Sequence, residues 1–115
     1  AGTVLIVGCS HPTIEAIVKA TVSIIDAPVH LLIGGLHLLP ASDAQTRRIG
    51  AALRDDWNVQ WLAPDHCTGE PAFEILRKQF GGRYLYAGLG RTITLGPRPA
   101  SLSYRTSRQT RPAIP

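Results

Sequence analysis

A chain of 115 residues, 44% hydrophobic with few aromatics, has the size and composition of one globular domain. It holds no apolar run of the roughly 20 residues that a membrane helix needs, so no membrane partner is expected. The formal charge of +4 invites a nucleic-acid reading, yet Arg98, Arg105, Arg108 and Arg111 lie in a final stretch without acids, and the body's eight basic and eight acidic residues cancel. A nucleic-acid partner is therefore not expected either, since binding through the arginine tail alone would be weak and salt-sensitive.

The opening Ala1-Gly2-Thr3-Val4 has neither a methionine nor the basic flank of a signal peptide, and it reads as though something has been left out upstream. Residues 3–7 are an apolar run that predicts a strand, and they lead into Gly8-Cys9-Ser10-His11-Pro12. Ile14, Ile17, Val18 and Val22 then form the stripe of a helix with one packed face, and Pro12 suits its first turn. Residues 29–33 are near-continuously apolar, as expected of a strand inside a sheet and covered on both faces. The turn Gly34-Gly35-Leu36-His37 follows.

Ser42 and Gln45 have capping-box spacing, and Ile49, Ala52 and Leu53 supply the inward stripe of a second helix reaching about Asp56, with Gly50 as a weak point. A third strand over residues 58–63 runs into Pro64-Asp65-His66-Cys67-Thr68-Gly69. The third helix begins after Thr68 as N-cap, carries Pro71 in its first turn, places Phe73, Leu76 and Phe80 on one face, and ends at Gly81-Gly82. Residues 83–87 and 91–95 alternate around Gly88-Leu89-Gly90, which predicts a hairpin. The remainder, 96–115, is rich in proline and arginine and is expected to be irregular.

Three successive strand-helix units predict an α/β fold with a mostly parallel sheet, and they put His11, His37 and His66 in loops at its carboxyl edge, where open α/β sheets bind ligands. Three imidazoles suit zinc, iron or manganese and leave a coordination position for water. Such an ion lowers the pKa of its water from about 16 to about 7, which makes hydroxide available near neutrality. His30, at the head of strand two and away from that edge, reads as structural.

A competing reading makes Cys67 a thiol nucleophile, since it stands just before a helix N-terminus that favours a thiolate. Neighbours in an extended segment point to opposite sides, so its base would be His11 or His37 rather than His66. Cys9 reads as a packing residue, and two cysteines in such loops are poor material for a disulfide framework, which suits a reducing, cytoplasmic setting. Asp65 reads as a partner that orients an imidazole or as a loop residue bonded to its own backbone, ahead of a metal ligand. Thr68 and Gly69, ahead of a helix, can receive an anionic group of a small-molecule substrate. Gly88-Leu89-Gly90 lacks the following helix that a dinucleotide loop requires.

The stretches GCSHPTIEAIV, LLIGGLHLLPAS and LAPDHCTGEPAFEILRKQFGGRYLYAGLGRTITL, taken together, resemble the carboxyl-terminal half of metallo-β-lactamase-fold hydrolases, in the dihydropterin/ribofuranosylaminobenzene-phosphate synthase-like subgroup. The resemblance covers about residues 3–95 and leaves 96–115 outside as a tail. It implies half of an αββα sandwich that binds one or two metal ions, usually zinc, with manganese or iron as alternatives. His11 and His66 are similar to the family's histidine ligands, and His37 is a third ligand or a substrate contact.

The family's leading HxHxDH signature is absent. A half sandwich would expose the apolar inner face of its sheet, which implies cover by the missing amino-terminal half or by self-association. The expected activity is hydrolysis of an ester, amide or phosphoester by a metal-bound hydroxide. The alternatives are a non-catalytic domain that works through association, and the thiol enzyme using Cys67.

Overall fold

A computed structural model describes residues 2–95 and the backbone of residues 102–104. The elements run β1 (Thr3–Val7), α1 (Ile14–Ile25), β2 (Val29–Gly35), α2 (Asp43–Ala51), a π turn (Ala52–Asp56), β3 (Trp61–Asp65), a 3-10 turn (His66–Thr68), α3 (Glu70–Phe80), a second 3-10 turn (Gly81–Arg83), β4 (Ile93–Leu95) and β5 (Leu102–Tyr104). The three strand-helix units expected from the sequence are all present.

β1, β2 and β3 form a parallel sheet in that order, with Leu5 opposite Leu32 and Leu32 opposite Leu62. The apolar β2 is the central strand. Sequential parallel strands joined by right-handed crossovers carry their helices on one face. The main core accordingly joins Leu5, Val7, Leu32 and Leu62 of the sheet to Ile14 and Val18 of α1, Leu53 of the π turn, and Ala72, Leu76 and Phe80 of α3.

Local chemistry explains the helix ends. The Thr13 hydroxyl accepts from the Ala16 N–H at 3.3 Å, and α1 closes at Asp26, whose φ of 52° is left-handed. Both halves of the capping box at α2 are made: the Ser42 hydroxyl accepts from the Gln45 N–H at 3.2 Å, and the Ser42 N–H donates to Gln45 Oε1 at 2.9 Å. Gly50 is a contact residue as much as a weak point, because a methyl group there would run into Leu76 and Gln79 of α3. Glycine lets the two helices approach.

Two element predictions shift. The third strand begins at Trp61 rather than residue 58, because Asn58 has a φ of 50° and the Val59 N–H donates to the Leu53 carbonyl at 2.9 Å, closing the π turn. The predicted hairpin between residues 83–87 and 91–95 does not form. Tyr84 instead makes a parallel bridge to Leu62, and the Leu85 N–H donates to the Leu62 carbonyl at 2.8 Å, so this stretch is drawn onto the open edge of β3. β4 pairs antiparallel with β5, which lies inside the stretch expected to be irregular; the rest of 96–115 is outside the described residues.

The face opposite the helices carries a smaller cluster, with Leu31, Ala63 and Leu85 buried and Ile33, Trp61, Ala87 and Ile93 beside them. On β1, the same face leaves Val4 37% and Ile6 75% exposed. The apolar face expected of the sheet is therefore present, and among the described residues it is covered over β2 and β3 but not over β1.

Candidate metal centre

All three histidine loops leave the carboxyl edge of the sheet, and hydrogen bonds knit them together. The Gly35 N–H donates to the Gly8 carbonyl at 2.9 Å and the Ser10 hydroxyl to the Gly35 carbonyl at 2.5 Å, tying loop one to the end of β2. Loop two is tied to loop three by the Leu36 N–H, which donates to the Thr68 hydroxyl at 3.2 Å, and by the Leu39 N–H, which donates to the Cys67 carbonyl at 3.3 Å. Each loop also holds a non-glycine residue in left-handed backbone: Ser10 at φ 57°, His37 at 52° and His66 at 54°. That conformation costs roughly 1–2 kcal/mol per residue, and such residues cluster where side chains are aimed for function.

The expected ligands divide into two groups. His11 and His37 are exposed, and their rings stack edge-on with centroids 4.7 Å apart at 64°. Both line a cavity of about 310 Å³ between the N-terminal ends of α1 and α2. His66, also exposed, stands instead with two free thiols: the ligand atoms of Cys9, His66 and Cys67 all lie within 4.8 Å of one another. Burial, and then the neighbouring Cys67 thiol, push the Cys9 thiol above its usual range.

This thiol pairing went unread in the sequence, and its cause is Gly35. Cys9 follows β1 and Cys67 follows β3, with β2 between them. A methyl group on Gly35 would sit 2.9 Å from Cys67 Sγ and 3.4 Å from the Cys9 Cα. With glycine at that position, Cys67 reaches across the end of β2, where its Sγ donates to the Cys9 carbonyl at 3.4 Å. A cysteine in each outer loop and a glycine ending the strand between them is the signal that could have found it.

The premise that separated His66 from Cys67 also changes. Residues 66–68 form a 3-10 turn rather than an extended segment, so the two neighbouring side chains share one side of the loop. The Asp65 carboxylate accepts from the His66 N–H at 2.6 Å, which is the local backbone bond anticipated for it. Thr68 is fully buried, and its hydroxyl donates to the Asp65 carbonyl at 2.8 Å while accepting from Leu36. The N-cap of α3 is Gly69 rather than Thr68. His30 lies away from the edge with Nδ1 2.9 Å from Gln60 Oε1, as its structural reading requires.

Beyond His66 and Asp65 opens a groove of about 960 Å³ whose walls include Trp61, Phe73, Tyr84 and Tyr86. Burial pushes the Tyr84 hydroxyl up to about 12, so it is a neutral hydrogen-bonding group. The sequence reading missed this groove because residues 83–87 were expected to pair with 91–95 instead of lining the edge of β3.

The donors at this edge are imidazoles and thiols, the set that suits borderline and soft cations such as zinc, and the exposed histidines fit a metal that also takes ligands from elsewhere. No family model matches the chain. It is 33% identical over 82 residues to the 7,8-dihydropterin-6-methyl-4-(beta-D-ribofuranosyl)-aminobenzene-5'-phosphate synthase of Methanocaldococcus jannaschii, an alignment covering 69% of this chain and 27% of that protein. It is also similar to the crystal structure of a metal-dependent hydrolase of the β-lactamase superfamily, at 37% identity and a TM-score of 0.68, over 76% of this chain and 35% of the other. The chain thus spans about a quarter to a third of the length of the proteins it matches. At 37% identity and with the same α/β arrangement over 76% of its residues, the chain shares part of the fold of that metal-dependent hydrolase of the β-lactamase superfamily.

Proposed function

We propose that this chain supplies part of the metal-binding edge of a hydrolase acting on an ester, amide or phosphoester. The carrying observation is that three consecutive loops at one sheet edge each present an exposed histidine, two of them in left-handed backbone. His11 and His66 act as ligands, and His37, whose ring meets that of His11, acts as a third ligand or as the contact that orients substrate. A bound divalent ion, zinc first with manganese or iron as alternatives, supplies Lewis acidity and an acidified water. Asp65 fixes the turn that carries His66, and the Gly69 end of α3 receives an anionic group of the substrate. The neutral Tyr84 hydroxyl and the aromatic walls of the adjoining groove hold an apolar portion of a small-molecule substrate.

Completing the metal's coordination requires ligands from an amino-terminal half bearing the HxHxDH pattern, as a separate segment or chain. Elemental analysis of the purified chain, alone and mixed with such a half, tests this. We expect metal in at least the mixture, and a lower metal content in His11→Ala and in His66→Ala than in the wild type; a metal-free result in both preparations would sink the reading. The free thiols agree with a reducing, cytoplasmic setting. A second reading, association without catalysis, draws on Val4 and Ile6, which leave apolar surface open on β1. It predicts an oligomer that survives His11→Ala and His66→Ala together.

A further inference from the structure

The two cysteines stand 58 positions apart in the chain, yet the fold brings them to one point with an imidazole beside them. We propose that Cys9, Cys67 and His66 form a binding site for a thiophilic d10 cation of the zinc or cadmium type, which shares His66 with the hydrolase reading, uses neither His11 nor His37, and needs no hydrolase activity to exist.

The geometry is near what such an ion requires. Bonds of about 2.3 Å to sulfur and about 2.0 Å to nitrogen in a tetrahedral shell put donor atoms about 3.5–3.8 Å apart. Here all three donor atoms already lie within 4.8 Å of one another, so closure needs contraction of no more than about 1.3 Å. The parts that must move are the ones able to: His66 is exposed, and Cys67 sits in a short 3-10 turn. Gly35, having no side chain, leaves room for the Cys67 sulfur beside the end of β2.

The donor set sets the preference for a soft ion. Two sulfurs and an imidazole select thiophilic cations, and no carboxylate joins the group, because the nearby Asp65 is occupied by the His66 N–H. Binding releases one proton from each thiol to solvent, including the one Cys67 shares with the Cys9 carbonyl, and the two thiolates balance a divalent charge. Three protein ligands leave a fourth position on the exposed side of His66 for water or a small anion.

Titrating the reduced, purified chain with cadmium chloride and following the sulfur-to-cadmium charge-transfer band tests this. We expect saturation at one ion per chain, a band reduced by about half in Cys9→Ser and in Cys67→Ser, in line with one thiolate lost from two, and none in the double variant. His11→Ala/His37→Ala should leave the band and stoichiometry unchanged. A full band in either single cysteine variant, one ion shared by two chains, or loss of the band in the histidine double variant would each overturn the proposal. Alkylation of the wild type gives a second readout that needs no variant to fold. Cadmium should protect both cysteines together, and equal labelling with and without the ion would refute the site. Because the hydrolase reading depends on His11 and this site does not, the two fail separately: His11→Ala should lower the metal content of the mixture with the amino-terminal half and leave the cadmium band intact.

Discussion

The two faces of the three-stranded sheet differ in how they are closed. One is sealed by three helices, whose contacts with Leu32 and Leu62 leave those side chains with no exposure. The other is covered by a single run of chain over β2 and β3, and at β1 it ends in an isoleucine three-quarters exposed. The difference teaches that this segment's stability is concentrated on one side of its strands: the helix face is a finished core, whereas among the described residues the other face is closed over β2 and β3 and keeps apolar surface open at β1.

Substitutions can sharpen or break this contrast. The largest effect is expected from Leu32→Ala, which empties the centre of the sealed face and should cost about 2–5 kcal/mol by chemical denaturation. A cost below ~1 kcal/mol would mean that this core is not the main source of stability. Gly35→Ala acts at the edge common to both faces, where the new methyl meets the Gly8 carbonyl 2.6 Å away and the Cys67 sulfur 2.9 Å away. We expect about 1–3 kcal/mol of destabilisation and faster alkylation of Cys67, read by denaturation and by mass spectrometry.

Ser42→Ala removes one half of the capping box on the helix side and should cost about 1 kcal/mol, visible as a lower denaturation midpoint with an unchanged slope. Ile6→Ser on the open face should change monomer stability by no more than about 0.5 kcal/mol while reducing self-association in sizing or scattering experiments. A large loss of stability in Ile6→Ser would show that this face is covered after all, and the contrast between the faces would fail.

Much of this was legible because the signals were local and repeated. The helix stripes, the capping box at Ser42 and the unbroken apolar run of β2 each state their structure within a few residues, and three strand-helix units in a row imply the parallel sheet. The position of the three histidines at one edge follows from that topology alone. What escaped the sequence was competition for backbone partners and contact across a strand. Residues 83–87 alternate as a hairpin arm would, but the open edge of β3 was the stronger partner, and nothing local announces an edge. The meeting of Cys9 with Cys67 depends on the missing side chain of Gly35, which looks like an ordinary turn glycine until the strand order is known. The exclusion of His66 from Cys67 failed because it assumed extended backbone where the chain turns.

The left-handed backbone at Ser10, His37 and His66 has a consequence for how these positions would evolve. Selection for folding alone would move all three toward glycine or asparagine, which occupy that conformation with little strain. A library randomised at the three sites and sorted only for folded protein should drift in that direction, whereas one sorted for metal capture should retain histidine at 37 and 66. The gap between the two outcomes would measure how far this edge is kept for its chemistry against the preference of its own backbone.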